Sequence, residues 1–259
     1  MKPEERRRAG LCASTLLAVA SASCFGSGDK RRAHRLGAAA AAVFLGPTLV
    51  RNCAWWGPVA TTFAAREREV WLTIDDGPDP DETPRILDTL RAFKARATFF
   101  CIGQRVAMNP ALARAVVDGG HDVQNHTFSH PAFTFWAALP RRAAEEIRAG
   151  SEAIRHATGK QPDLFRAPAG LANAFVHAAA ERAKLKMIGW SAAGNDGIAH
   201  DREKVLRRIL GNARPGSIIL LHENRLAGLA PGERARTLEK LIAGLDGLRL
   251  CPVIPGLEG

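Results

Sequence analysis

The sequence predicts an α/β fold built on a parallel β-sheet. From Val70 onwards, short apolar runs alternate six times with longer segments in which apolar residues recur every three or four positions. Strands that alternate with helices favour a parallel sheet, because each helix carries the chain back to the start of the next strand. The pattern fits an open doubly wound sheet or a closed barrel. A chain of 259 residues, 46% of them hydrophobic, can bury the core of one such domain.

The elements of this alternation can be assigned in order. The predicted strands are the apolar runs 70–74, 97–102, 121–124, 164–166, 186–190 and 217–221. The predicted helices are the periodic segments 83–94, 110–117, 141–156, 174–183, 202–210 and 234–245. Asn109 and Pro110 are typical of a helix start, with a capping residue followed by proline in the first turn. No glycine-rich phosphate-binding loop follows the first strand, so a nucleotide-binding version of the fold is disfavoured.

Residues 1–68 differ from the rest of the chain and are predicted to form a membrane-associated or signal-like segment. Two apolar stretches, 11–26 and 36–50, flank a basic cluster at 30–35. Each stretch is shorter than the roughly 20 residues that a membrane-spanning helix needs. Three interpretations stay open: membrane association through residues 9–50, a cleaved or lipidated signal peptide, and a soluble arm. The first two place the predicted catalytic domain, residues 69–259, at the membrane or in the cell envelope.

Composition excludes several classes of function. The formal net charge is +10, but Lys and Arg are scattered without interleaved aromatic residues, which argues against nucleic-acid binding. The 5 cysteines are odd in number and show no C-x-x-C spacing. The sequence therefore does not predict a zinc ribbon, a thioredoxin-like motif or a disulfide framework.

Polar side chains that can bind a metal ion follow the predicted strands. Asp75 and Asp76 end the first strand, and adjacent carboxylates repel each other unless a cation offsets their charge. His126 and His130 follow the third strand and lie on one face if the segment turns helically, which suits a shared metal ion. Arg166 ends the fourth strand, and its guanidinium can hold a carboxylate. Because ligands of parallel α/β folds bind at the carboxyl ends of strands, we expect these side chains to converge.

Two further polar residues belong to the same predicted edge. Asp196 follows the fifth strand, and His222 ends the sixth. Thr127 stands where the H-E-x-x-H motif of metalloproteases has its glutamate, so a general base has to come from elsewhere in the fold. Any one of these residues could be structural. Polar groups at the ends of five strands together indicate an active site.

These residues lie in five ordered motifs that resemble those of the polysaccharide deacetylases, the NodB-homology domain of carbohydrate esterase family 4. The motifs are Asp75-Asp76-Gly77, His126-Thr127-Phe128-Ser129-His130, Arg166-Ala167-Pro168-Ala169-Gly170, the segment 190–196, and Leu220-Leu221-His222. The resemblance covers about residues 69–256. It implies a distorted, incomplete (β/α) barrel.

The resemblance further implies a divalent metal ion at the carboxyl edge of the barrel, bound by Asp76, His126 and His130. Zinc is the ion expected, and cobalt or another first-row ion is the alternative. One carboxylate and two imidazoles leave coordination positions open, which a catalytic metal requires.

Acid–base roles follow from the same resemblance. Asp75 would be the general base, and Arg166 would orient it. His222 would be the general acid, held and charged by Asp196. The implied reaction is hydrolysis of acetyl groups from the N-acetylated sugars of a polysaccharide or glycan.

The fourth motif departs from the usual Asp-x-x-Asp-Trp pattern of the family. Ala193 stands for the first Asp, Asp196 keeps the second, and Gly197 replaces the Trp. The change alters the expected shape of the acetyl pocket. Two alternatives to the N-deacetylase therefore stay open: an O-acetyl esterase on xylan-like sugars, and an inactive metal-binding carbohydrate-recognition domain.

Overall fold

A computed structural model describes residues 3–65, 67–199, 201–223 and 230–251 of the chain. The helices are α1 (Pro3–Gly26), α2 (Lys30–Thr48), α3 (Thr83–Ala92), α4 (Gly103–Met108), α5 (Pro110–Asp118), α6 (Pro140–Thr158), α7 (Ala174–Arg182), α8 (Arg202–Asn212) and α9 (Glu233–Ala243). The strands are β1 (Glu69–Asp75), β2 (Thr98–Cys101), β3 (Asp122–Asn125), β4 (Leu164–Phe165), β5 (Lys186–Met187), β6 (Ala192–Ala193), β7 (Ile218–His222) and β8 (Arg249–Leu250).

The strands form a parallel half-barrel surrounded by helices. Within the described residues their order is β5-β4-β3-β2-β1-β7-β6, and β8 pairs with the start of β1. Every pairing between these strands is parallel. This topology confirms the predicted α/β class and the incomplete barrel. It places the carboxyl ends of all the strands at one edge.

Some short elements were not predicted from the sequence. β6 and β8 have two residues each, and so few residues cannot display the alternation that identifies a strand. The predicted strand 186–190 is confined to Lys186–Met187, and the six-residue helix α4 was not predicted. Residues 252–259 of the predicted catalytic domain lie outside the described residues.

The side chains of β1 point alternately into the barrel interior and into the core beneath the outer helices. Leu72 and Ile74 pack into the large cluster beneath the outer helices. Trp71 belongs to a second cluster, with Phe100 and Ile218. Because successive strand residues point to opposite faces, Asp75 shares the inner face with Trp71. The two-residue period therefore aims the last side chain of β1 into the mouth of the barrel.

The N-terminal helices form a hairpin whose base contacts the barrel. Ser14 and Ser21 of α1 donate hydrogen bonds from their hydroxyls to backbone carbonyls of α2. Beyond α2, Ala60 pairs with Ile188, and Thr62 pairs with Ser217. The segment after the hairpin is thus hydrogen-bonded to residues next to β5 and β7.

Candidate active site

The three predicted metal ligands converge on one point at the carboxyl edge of the barrel. The Asp76 Oδ1 atom lies 3.3 Å from His130 Nε2 and 3.6 Å from His126 Nε2. One ligand atom from each residue falls within 4.8 Å of the others. Asp76 Oδ1 is buried and has no hydrogen-bond partner among the described residues. A buried carboxylate oxygen without a donor is costly, so this donor set fits a cation.

The two histidines reach this point from a loop rather than from a helical turn, which corrects the geometry expected from their spacing. Thr127 and His130 have left-handed φ values of 66° and 51°, which a helix does not contain. The Asn125 side-chain oxygen accepts a hydrogen bond from the Thr127 backbone N–H at 2.7 Å. The loop nevertheless brings the His126 and His130 ring centroids to 4.7 Å.

Glu146 on α6 holds the loop from outside. Its carboxylate accepts hydrogen bonds from the backbone N–H groups of Phe128 at 3.0 Å and Ser129 at 2.8 Å. The Ser129 hydroxyl donates to the same carboxylate at 2.6 Å. These bonds offset the cost of the left-handed residues on either side.

The orientation of His126 leaves one ring nitrogen free for a ligand. Its Nδ1 lies 2.7 Å from the Arg166 carbonyl oxygen, which can only accept, so Nδ1 carries the hydrogen. Nε2 then presents its lone pair to Asp76. Burial lowers the pKa of His126 to about 3, and the ring is neutral, as a metal ligand must be.

Asp75 and Arg166 form a buried ion pair next to the ligands. Arg166 Nη1 donates to Asp75 Oδ1 at 2.6 Å and to the Thr73 hydroxyl at 2.8 Å, and Nη2 donates to the Gly189 carbonyl at 2.9 Å. Burial raises the pKa of Asp75, and the guanidinium charge opposes that rise. The second carboxylate oxygen, Oδ2, faces His126 Nε2 at 3.6 Å. Asp75 is thus fixed by one oxygen and presents the other to the point where Asp76, His126 and His130 converge.

His222 lies beside Asp75, because the two residues are register partners on β7 and β1. Its Nδ1 is 2.9 Å from Asp196 Oδ1, and its backbone N–H donates to Asp196 Oδ2 at 2.7 Å. Burial by itself would lower the pKa of His222, but the charge and hydrogen bond of Asp196, together with the weaker charges of Asp76 and Asp75, raise it to about 9. Burial likewise opposes ionisation of Asp196, but the charge and hydrogen bonds of His222, together with the charge of Arg234, lower the pKa of that carboxyl.

Five of the seven predicted site residues line a cleft of about 660 Å³: Asp75, Asp76, His126, His130 and His222. Phe133 and Ile198, at its mouth, are 93% and 75% exposed. The altered fourth motif also lines the cleft, through Ala193 and Gly197. A Cβ at Gly197 would lie 3.3 Å from the His222 ring, so glycine leaves the space beside that imidazole open.

Three polar residues near the carboxyl edge of the barrel were not predicted from the sequence. Glu146 lies 18 residues from Phe128 along the chain, and nothing in its helical context distinguishes it from a surface glutamate. Arg51 lines the cleft although it lies outside the predicted catalytic domain. Glu223 is buried beside His222, and its position directly after the last motif was the one signal available.

Comparisons with known proteins identify the family. The sequence model described as polysaccharide deacetylase matches residues 64–188. A chitooligosaccharide deacetylase of Bradyrhizobium sp. is 36% identical over 192 residues, which are 74% of this chain and 85% of that protein. A peptidoglycan-N-acetylglucosamine deacetylase of Bacillus cereus is 36% identical over 61% of this chain and 73% of that protein. The structure of a family 4 carbohydrate esterase from Streptomyces lividans in complex with acetate is 31% identical, with a TM-score of 0.63 over 73% of this chain and 92% of that one.

A parallel half-barrel of this type, with a sequence that matches the polysaccharide deacetylase model, defines a hydrolase of the NodB type. The chain belongs to the polysaccharide deacetylase family.

Proposed function

We propose that the protein is a metal-dependent carbohydrate de-N-acetylase that hydrolyses the acetamido groups of a glycan. The observation that carries this proposal is the convergence of Asp76, His126 and His130 on one point, beside a buried carboxylate and a charged imidazole. The names of the chitooligosaccharide and peptidoglycan deacetylases among the relatives support the same substrate chemistry.

Asp76, His126 and His130 are proposed to hold the divalent ion, which we take to be zinc because an Asp and His donor set suits it. The partnerless Asp76 Oδ1 and the neutral His126 ring support this assignment. When bound, such an ion supplies Lewis acidity that polarises a carbonyl and makes water more acidic.

Asp75 is proposed to be the general base. Arg166 fixes one carboxylate oxygen, and the other is directed at the point where the ligands meet. Burial raises the pKa of Asp75 towards the range in which a carboxylate accepts a proton effectively, while Arg166 favours its ionised form. In the proposed reaction Asp75 takes a proton from water as the water oxygen bonds to the acetyl carbonyl carbon.

His222 is proposed to be the general acid. With a pKa of about 9 it is protonated at neutral pH, and Asp196 fixes the Nδ1 side of the ring. When the bond between carbonyl carbon and nitrogen breaks, His222 gives its proton to the departing amine. The products are acetate and a free amino sugar.

We further propose that the hairpin of α1 and α2 attaches the protein to a membrane. One described helix is long and apolar enough, over Arg7–Gly26, to span a bilayer. Only 6% of this apolar stretch is buried within the protein. Its exposed side chains include Leu16, Val19 and Phe25. Contacts with α2 run through small residues such as Ser21 and Gly37, as is usual between membrane helices.

The reaction is tested by measuring acetate release from two substrates side by side. Zinc-loaded full-length protein is incubated with N-acetylchitotetraose and with O-acetylated xylotetraose. We expect acetate and free amine from the first substrate at a rate that far exceeds acetate release from the second. Release from the xylan-type substrate alone would replace the proposal with the O-acetyl esterase, and sugar binding without any release would replace it with a recognition domain.

The metal assignment has its own control in the same assay. His126→Ala together with His130→Ala removes two of three ligands, so we expect loss of bound zinc and of activity with the fold retained. His156→Ala, on an exposed turn of α6, is the matched control and should keep both. Full zinc content in the double variant would contradict the assignment.

A further inference from the structure

The cleft contains a cation that comes from outside the barrel. Arg51 lies three residues beyond the end of α2 and lines the same cleft as Asp76, His130 and His222. Three residues span at most about 11 Å, so the base of the N-terminal hairpin lies close to the cleft.

Asn52 fixes this part of the chain against the barrel. Its backbone N–H donates to the Gly170 carbonyl at 2.8 Å, and its side-chain amide donates to the Trp190 carbonyl at 3.1 Å. A Cβ at Gly189 would lie 2.6 Å from the Asn52 side chain, so this close approach requires glycine. The position of Arg51 is therefore defined by a packed neighbour.

Arg51 is also electrostatically distinctive. Of the described residues that line the cleft, it is the one Lys or Arg. No hydrogen bond or ion pair joins its side chain to another residue within the described parts of the chain. The other positive groups at this edge already have partners, since Arg166 is paired with Asp75, and both His222 and Arg234 are paired with Asp196. An exposed guanidinium that no carboxylate of the described residues neutralises is available to a ligand.

We infer that Arg51 is a specificity-determining residue that binds an anionic substituent on the sugar substrate, a carboxylate or a phosphate. This inference rests on the proposed function, because it concerns the substrate class of that same site. A guanidinium binds both oxyanions through two parallel hydrogen bonds. The substrate class is therefore a glycan that carries an acidic group close to the N-acetyl group that is removed.

The test compares substrates that differ only in charge. The carboxylate probe is a tetrasaccharide of alternating N-acetylglucosamine and N-acetylmuramic acid, and its neutral match has the muramic carboxyl reduced to an alcohol. The phosphate probe is N-acetylchitotriose 1-phosphate, matched by N-acetylchitotriose. Acetate release and calorimetric binding are measured with zinc-loaded full-length protein, so that binding is read independently of turnover.

Arg51→Ala is expected to lower kcat/KM and binding about tenfold to a hundredfold for the carboxylate or phosphate probe, mainly through KM, and less than twofold for its neutral match. Arg51→Lys should recover part of the loss, because it restores charge without the two-pronged geometry. Arg207→Ala, an exposed arginine on α8, is the charge-matched control and should change neither probe. Which anionic probe responds identifies carboxylate or phosphate as the ligand group.

The outcomes separate this inference from the proposed function. Equal losses on charged and neutral probes, or no loss on any, would overturn the role of Arg51 while leaving the deacetylase intact. Charge-selective binding that depends on Arg51, without acetate release by the wild type, would support Arg51 and overturn the reaction.

Discussion

Replacing Asp196 by Asn tests whether a single carboxylate sets the charge of His222. The carboxylate accepts two hydrogen bonds from His222, and its charge is the largest of the effects that raise the pKa of the imidazole to about 9 against the effect of burial. Asn keeps the shape but loses the charge. Burial, the largest single effect, is then opposed only by the weaker charges of Asp76 and Asp75, so we expect the pKa of His222 to fall to about its ordinary value of 6.5. The fall of two units or more corresponds to about 3 kcal/mol.

This fall predicts a change in the pH dependence of turnover. If His222 donates a proton to the leaving amine, activity falls as pH rises through the pKa of His222. The alkaline limb should therefore move at least two units towards acid in Asp196→Asn, with a loss of about 30-fold or more at pH 8 and a much smaller loss at pH 6. Acetate release between pH 5 and 10, with nitrogen-15 NMR titration of His222, measures both quantities. Asp118→Asn, an exposed residue at the end of α5, is the charge-matched control.

The pair of His222 and Asp196 also stabilises the folded protein, by an amount that depends on pH. The pKa of His222 is higher in the folded protein than in the unfolded chain, so its contribution is fully present below pH 6.5 and is lost as pH rises through about 9. Between pH 6.5 and about 9, the difference in free energy of unfolding between the wild type and Asp196→Asn should therefore shrink by up to about 3 kcal/mol. An alkaline limb that does not move in the variant, together with an unchanged NMR titration, would refute the role of Asp196.

Two other predictions concern the buried ion pair and the hairpin. Arg166→Leu should lower the free energy of unfolding by about 3 to 5 kcal/mol, because it leaves the Asp75 carboxylate buried without its partner. Adding Asp75→Asn should restore part of that loss in urea unfolding, and a double variant less stable than Arg166→Leu would contradict the explanation. Full-length protein with an intact N-terminus should fractionate with membranes, whereas Leu16→Lys with Val19→Lys should release it, since both side chains are exposed on α1. Recovery of the uncleaved wild type in the soluble fraction would rule out membrane attachment.

The sequence was most informative where a strand ends in a polar residue. Asp75 and His222 follow apolar runs, and the rule that ligands bind at the carboxyl ends of parallel strands predicted that they would meet. The structure adds the register between β1 and β7, which makes them direct neighbours. Register depends on pairing between segments almost 150 residues apart, and no local pattern encodes it.

Residues that support the site from a distance could not be predicted. Glu146 is recognisable as a support only once the loop after β3 is seen to leave two backbone N–H groups facing it. The left-handed conformation of Thr127 and His130 was equally hidden, because a β-branched residue such as Thr127 rarely adopts it and no sequence pattern marks it at His130. The spacing of the two histidines suggested a helical turn, but it is the side chains of Asn125 and Glu146 that bring the rings together.

The balance of charge at the carboxyl edge connects the proposed metal with the proposed substrate. Arg166 neutralises Asp75, and a neutral His126 adds no charge. His222 and Arg234 both pair with Asp196, so in the sum over these groups their second positive charge offsets Asp76. A divalent cation would add two positive charges, and Arg51 at the cleft would add a third. A cleft with this excess attracts anions from solution, more strongly at low ionic strength than at high. An acidic glycan would then associate faster because of the positive electrostatic potential at this edge. Once bound, it would be held more tightly by Arg51.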